Sequence, residues 1–314
     1  MGRKAFLFPG QGSQFVGMGK DIHNTHAWAR EIFALAEAIT GRPISRLCFE
    51  GPLEELTLTV NLQPAIIAVN LICFQALCDQ GLKPDFTAGH SLGEFSALAA
   101  AGVLTVPDTL RLVNLRGELM HRDAQARPGA MQAVMGLSRG DLEGIVELAR
   151  DKGQVVVANH NSHQQMVITG ESAAVAAAAA LAKTMGGKTM ALPVSGAWHS
   201  PLMEKAAADF SLELEKTEFM APSCPVVLNV TGRAESDPAA IKAAMIKQMI
   251  SPVLWCDSIE AMIEAGVADF LEVGPKKVLA GLVKKIVPAE ASVKVLNVEN
   301  LADASRAAAE LAWK

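Results

Sequence analysis

In the stretch "TAGHSLGEFSALAAAG", residues 87–102, an apolar run ends at Gly89 and a helical run begins at about Leu92. Ser91 stands between them, with Gly89 two places before it and Gly93 two places after. G-x-S-x-G between a strand and a helix is the pattern of a nucleophile elbow. The chain turns so sharply there that the serine backbone is strained. Residues two places away come too close for side chains, which calls for glycine. The helix that follows aims N–H groups at whatever binds above the serine, so the Leu92 N–H can donate to a developing oxyanion. Phe95, Leu98 and Ala99 follow at helical spacing, as the motif needs. The competing reading is a chance G-x-S-x-G in a glycine-containing turn.

The pattern on either side is that of an α/β chain. "KAFLF", ended by Pro9-Gly10, and "PDFTAGHS" read as buried strands, and "VPDTLRLVNLRGELMHRDA" as a helix with Pro107 and Asp108 in its first turn. Near Pro128-Gly129 the pattern changes. Strand "AMQAVMGL", helix "SRGDLEGIVELAR" with Ser138 or Asp141 near its start, strands "QVVVANHN" and "QMVITG", alanine-rich helix "ESAAVAAAAALAKTMG" and strand "KTMALPV" follow in order. That is β-α-β-β-α-β, the split βαβ of ferredoxin-like folds. "PVVLNV", "ADFLEVG" and "VKVLNV" then resume short apolar runs with helices between them. The expectation is an α/β main domain with a parallel sheet, residues 1–127 and 196–314, interrupted by a small α+β insertion, residues 128–195.

Composition narrows the classes of function. The 314 residues are 50% apolar, enough for a large core, and the net charge of −5 is spread with both signs mixed. Nothing there suggests nucleic acid. Five cysteines form no CxxC pair and are odd in number, which fits a reduced, cytoplasmic compartment. The four apolar residues before Pro9 are too few for a secretory signal, and the apolar stretch after Glu94 is broken by Gly102 and Pro107 and reads as no membrane span.

A serine hydroxyl needs a base. Of seven histidines, His23, His26 and His121 read as solvated, His90 adjoins the serine on a strand-turn, and His160 and His163 fall in the insertion. His199, in "PVSGAWHSPLM", follows a strand in a loop punctuated by glycine and proline, where a site can form. No acid declares itself as a third member: Asp209, Glu213, Asp257 and Glu272 are all possible by order. A backbone carbonyl orients an imidazole equally well.

Arg116 is out of place. Its neighbours at helical spacing are Leu112, Val113, Leu119 and Met120, so it projects from an apolar stripe. A buried guanidinium stays charged and needs an anion. Two anions compete: an internal carboxylate, or the carboxylate of a substrate held in a bidentate clamp. "FPGQGSQFVGMGK" fits neither a dinucleotide fingerprint nor a phosphate loop, because Phe15 and Ile22 stand where third glycines belong and Lys20 precedes Asp21. What remains is a turn that exposes Gln11 and can offer its backbone N–H to an oxyanion hole.

"FPGQGSQ", "GHSLGE", "LRGELM", "ANHNS", "WHSPLM" and "EVGPKKVLAGL" occur together and in this order. From about Lys4 to about Val298 the sequence resembles the malonyl-CoA:acyl carrier protein transacylase family, acyltransferases of fatty acid synthesis. The resemblance implies a hydrolase-like α/β domain with a ferredoxin-like insertion. It implies Ser91 as nucleophile, His199 as base, the Gln11 and Leu92 N–H groups as oxyanion hole, and Arg116 on the malonyl carboxylate. It also implies that a main-chain carbonyl of "KQMISPVLW", Gln248 first among the candidates, orients His199. Gln63 matches a recurring active-site position, and Asn159 and Asn161 match a loop lining the cleft. Trp198, where relatives often carry a small residue, can narrow the acyl pocket, and Ser251 stands where many have asparagine. The expected partners are malonyl-CoA and acyl carrier protein. No cofactor, metal, nucleic acid or membrane is expected, and the chain is expected to act as a monomer. The rivals are an acyltransferase of polyketide synthesis or malonate decarboxylation, a serine esterase or thioesterase, and a non-catalytic carrier-binding scaffold.

Overall fold

A computed structural model describes residues 2–194, 196–288 and 291–312. Ten strands occur among them: β1 (Arg3–Phe8), β2 (Phe86–Gly89), β3 (Ala130–Met135), β4 (Val155–Ser162), β5 (Gln165–Gly170), β6 (Lys188–Ala191), β7 (Val226–Val227), β8 (Ala234–Glu235), β9 (Val267–Val273) and β10 (Lys294–Val298). Six form one sheet in the order β10-β9-β1-β2-β7-β8, and four form a second in the order β4-β5-β3-β6. The large sheet is parallel from β10 to β7, and β8 closes its edge antiparallel. "PVVLNV" contributes only the two residues of β7 as strand.

The central strand β1 shows why this sheet is parallel. Ala5, Phe6, Leu7 and Phe8 are all fully buried, as a strand covered by helices on both faces must be. One of the helices of this layer is Thr59–Asp79, with fifteen buried residues, whose Phe74 ring meets those of Phe6 and Phe8 edge-on. It is long and apolar enough to cross a membrane, yet 78% of its apolar window is buried inside the protein. Its place is the core of the α/β layer, which the sequence reading did not single out.

The small sheet is wholly antiparallel, and the helices Arg139–Ala149 and Ser172–Thr184 pack against it around their own cluster of apolar side chains. The Ser138 hydroxyl accepts from the Asp141 N–H, so Ser138 is the cap and Asp141 lies in the first turn. The order β-α-β-β-α-β read from the sequence is therefore what the chain builds. Residue 195, where the insertion was expected to end, lies outside the described residues.

In the helix Val106–Ala126 the Thr105 side chain caps the first turn and Pro107 lies within it. The helix carries Arg116 on its buried face and runs beside Thr59–Asp79.

Candidate active site

The elbow forms where β2 ends. Ser91 has a φ of 52°, in the left-handed region that costs a residue with a side chain strain. A Cβ on Gly89 would lie 2.0 Å from the Gly93 carbonyl, and one on Gly93 would lie 2.0 Å from the Phe8 oxygen. Both glycines are thus required by close backbone approach. Gly10 is pressed in the same way, since its Cβ would come within 2.4 Å of the His90 oxygen. The turn after β1 therefore packs directly on the elbow.

Asn229, just after β7, holds the elbow in shape. Its Oδ1 accepts from the Ser91 N–H at 2.7 Å, and its Nδ2 donates to the Gly89 carbonyl at 2.6 Å. It is 1% exposed. Sequence reasoning missed this residue, because its only signal was an asparagine closing an apolar run.

His199 meets Ser91 from the loop after β6, with Nε2 2.7 Å from the Ser91 Oγ. Its Nδ1 lies 2.9 Å from the Ser251 carbonyl and 3.1 Å from that of Gln248. Carbonyl oxygens only accept, so Nδ1 carries the proton and Nε2 offers its lone pair to the serine hydroxyl. The orienting carbonyl expected from Gln248 is therefore shared, and Ser251 supplies the shorter contact. Burial, and then the charge of Arg116, push His199 down to about 3. It is a neutral imidazole across the physiological range.

Arg116 is 2% exposed. Its Nη1 donates to Gln63 Oε1 at 3.0 Å, and its Nη2 to Gln248 Oε1 at 3.2 Å and Ser91 Oγ at 3.4 Å. Its Nε is buried with no partner, and the guanidinium lies over the Phe95 ring. Among the described residues no carboxylate reaches ion-pair distance, so the internal salt bridge is not formed. Burial lowers Arg116 to about 10, opposed by Glu94. Glu94 is held one step away: its Oε2 accepts from Gln248 Nε2 at 2.8 Å and its Oε1 from the Asn229 N–H at 2.8 Å. Burial raises the Glu94 carboxyl to about 7.

Gln63 and Gln248 work through this arginine. Gln63 is fully buried and spends its Nε2 on Thr59 Oγ1 and Met120 Sδ, which turns its oxygen to Arg116. Gln248 gives both amide hydrogens away, to the Ser91 carbonyl at 2.9 Å and to Glu94, so its oxygen too must face the guanidinium.

A cavity of ≈ 260 Å³ opens above this cluster between the two sheets. Gln11 and Leu92 border it on the elbow side, Asn159 and Asn161 on the β4 side, and Trp198 beside His199. Trp198 thus faces the site. Asn161 Oδ1 lies 2.8 Å from His90 Nε2, and the His90 ring packs on Trp255, so His90 is turned from the Ser91 Oγ. The imidazole at Ser91 Oγ is that of His199, and His163 contacts Cys256 and Glu260 instead.

An elbow serine, a buried neutral imidazole and a cation held by neutral amides are the parts with which an acyltransferase can move an acyl group through a serine ester. The chain belongs to the acyl transferase family, whose model, described as an acyl transferase domain, matches residues 5–304. Within that family it is similar to the malonyl CoA-acyl carrier protein transacylase of Bacillus subtilis strain 168, at 42% identity over 288 residues and 91% of each chain. It is similar in structure to the malonyl CoA-acyl carrier protein transacylase from Coxiella burnetii, with a TM-score of 0.94, 36% identity and coverage of 99% and 98% of the two chains. A malonyl-transacylase solved in complex with its type II PKS acyl-carrier protein superposes with a TM-score of 0.93 at 36% identity, covering 98% and 99%.

Proposed function

We propose that this acyltransferase moves a malonyl group from malonyl-CoA to the phosphopantetheine thiol of an acyl carrier protein, as a step of fatty acid synthesis. The observation that carries the reading is Arg116, a shielded cation with no carboxylate partner among the described residues and at hydrogen-bond distance from the Ser91 oxygen. A malonyl thioester places a free carboxylate one methylene away from the reacting carbonyl, and the guanidinium can receive it bidentately.

The serine proton passes to His199 Nε2 as Ser91 Oγ attacks the thioester carbonyl. The N–H groups of Gln11 and Leu92 receive the oxyanion. Collapse expels the thiolate of coenzyme A, which takes the proton from His199 and leaves a malonyl-serine ester. The carrier thiol then gives its proton to His199 and attacks the ester, and the Ser91 oxygen leaves as it takes that proton back from His199. Arg116 holds the acyl group through both halves, Gln63 and Gln248 fix Arg116, and Asn159, Asn161 and Trp198 shape the acyl cavity. Residues 1–127 and 196–314 form the catalytic unit, and residues 128–195 the inserted wall of the cleft. The reading includes action as a monomer in the cytoplasm.

An esterase is disfavoured because carbonyls, not an acid, orient His199. A carrier from polyketide synthesis is the second reading, favoured by the carrier complex of the structural relative. Intact mass after mixing with malonyl-CoA tests the proposal: one malonyl group should add to the protein, none to Ser91→Ala, and acyl carrier protein should remove it. Labelling of Ser91→Ala, or loss of the group to water rather than to carrier, overturns it. Transfer rates to fatty-acid and polyketide carriers separate the two readings.

A further inference from the structure

His163, Cys256 and Glu260 gather away from Ser91 in a cluster that acyl transfer does not use. His163 sits at the tip of the β4–β5 hairpin. Cys256 and Glu260 stand four residues apart on the helix Trp255–Glu264, which puts thiol and carboxylate on one face. The imidazole closes over that face. Its Nδ1 and Nε2 lie 3.7 and 4.0 Å from Cys256 Sγ, and Nε2 lies 3.4 Å from Glu260 Oε1. One donor atom from each residue lies within 4.8 Å of the others, and no other such trio occurs among the described residues.

Sulfur, imidazole nitrogen and carboxylate oxygen together are a zinc-type donor set. Tetrahedral bonds of about 2.0–2.3 Å hold ligand atoms roughly 3.3–3.7 Å apart. Taking Nε2 as the imidazole donor, the His–Glu separation of 3.4 Å is within that range and the His–Cys separation of 4.0 Å lies just outside it, so the thiol and the carboxylate close on the ion with a side-chain shift. His163 and Glu260 are about half exposed, at 56% and 46%, so both can shift and water can take the fourth position. The surrounding charge suits a cation. Asp257 adjoins Cys256, and Arg139, whose charge reaches Cys256, is engaged with Glu143 at 2.9 Å and Asp257 at 3.8 Å rather than with Glu260. Burial and the neighbouring carboxylates push the Cys256 thiol up to about 12, so it is protonated until a metal displaces its proton to solvent.

We propose that His163, Cys256 and Glu260 bind one thiophilic divalent cation of the zinc type, which clasps the β4–β5 hairpin to the helix Trp255–Glu264. The join is already begun in the backbone: the His160 N–H donates to the Val253 carbonyl at 2.9 Å, and the Val253 N–H to that of Ala158 at 2.8 Å. The ion carries it to the hairpin tip. Because Asn161 and Gln165 of the same hairpin line the cavity, the ion steadies that wall of the cleft and takes no part in the chemistry at Ser91.

Titration of the full chain, freed of metal by chelation, with Co²⁺ and then Zn²⁺ tests this. One equivalent of Co²⁺ should give near-ultraviolet thiolate-to-cobalt absorption that Zn²⁺ removes, and Zn²⁺ should raise the melting temperature. Cys256→Ser should abolish the absorption and weaken Zn²⁺ binding at least tenfold. His163→Ala and Glu260→Gln, at exposed side chains, should weaken it similarly while the metal-free melting temperature stays that of the parent. Absence of thiolate absorption, or Zn²⁺ affinity unchanged in the three variants, overturns the proposal.

Discussion

His199 and Arg116 set each other's chemistry. Arg116 is the main charge that lowers His199, second only to burial. On the proposed reading, a malonyl carboxylate held by Arg116 would neutralise that charge and strengthen the base, whereas an acetyl group would leave it weak. Arg116→Ala should therefore cut malonyl transfer steeply and leave acetyl transfer level or raised. The ratio of the two kcat/KM values should move toward acetyl by ~10²-fold or more, at ~1.4 kcal/mol per decade. Since no carboxylate among the described residues is stranded at ion-pair distance, the melting temperature should fall only modestly; an unchanged ratio with a large fall contradicts the clamp. His199 also ties stability to pH. Its folded value, about 3, lies below the unfolded value near 6.5, so its contribution is full above about 6.5 and is lost as the pH falls toward 3. Glu94 runs the other way. Raised to about 7 from 4.5, it favours the fold most below 4.5 and loses that effect as the pH rises through 7. Melting curves between pH 4.5 and 6.5 should show the parent gaining on His199→Gln as pH rises, and losing against Glu94→Gln. Parallel curves would mean that neither group titrates as its burial requires.

The elements that spacing could reveal were those in which one residue repeats a rule. Gly89 and Gly93 announced the elbow because backbone contact leaves them no alternative, and Arg116 announced itself by interrupting an apolar stripe. The split βαβ was legible because period-2 runs and helical runs alternated in a recognised order. Asn229, Glu94 and the Ser251 carbonyl were not. Asn229 follows a strand of two residues, and its partner Ser91 is 138 residues away. A carbonyl has no side chain to read, so the family resemblance pointed to the segment that orients His199 but not to Ser251 as the nearer of its two carbonyls. These silent contacts still carry consequences. Asn229→Ala leaves the Ser91 N–H and the Gly89 carbonyl buried without partners, at ~1–3 kcal/mol each. Both the melting temperature and the rate of Ser91 malonylation should drop, the second by more than tenfold, because the elbow loses the brace that aims its serine. Malonylation at the parent rate would show that the two glycines alone shape the turn.

At the scale of the molecule, the central helix Thr59–Asp79 was overlooked because its apolar surface goes all the way round, which gives no face to detect. The cleft between the sheets was equally hidden, and its mouth decides how a carrier docks. The chain has a net charge of −5, and acyl carrier proteins are acidic, so long-range repulsion must be overcome locally. Lys276, Lys277, Lys284 and Lys285 are all exposed on the segment that borders the cavity through Val278, Leu279 and Leu282. Two of the four have structural contacts: Lys276 Nζ reaches the Gly12 carbonyl at 3.3 Å and Lys285 Nζ the Gln165 Oε1 at 3.2 Å. A second cavity of ≈ 570 Å³, which shares Gln165 with the first, is edged by Lys285 and Lys188. Lys277 and Lys284 are therefore the places to reverse charge with least damage to the fold. Lys277→Glu with Lys284→Glu should raise the KM for acyl carrier protein severalfold and flatten its dependence on salt, because fewer opposite charges remain to be screened. The rate of Ser91 malonylation by malonyl-CoA should stay that of the parent. If both substrates are unaffected, the carrier docks on another face; if both suffer alike, the lysines hold the cleft itself rather than its partner.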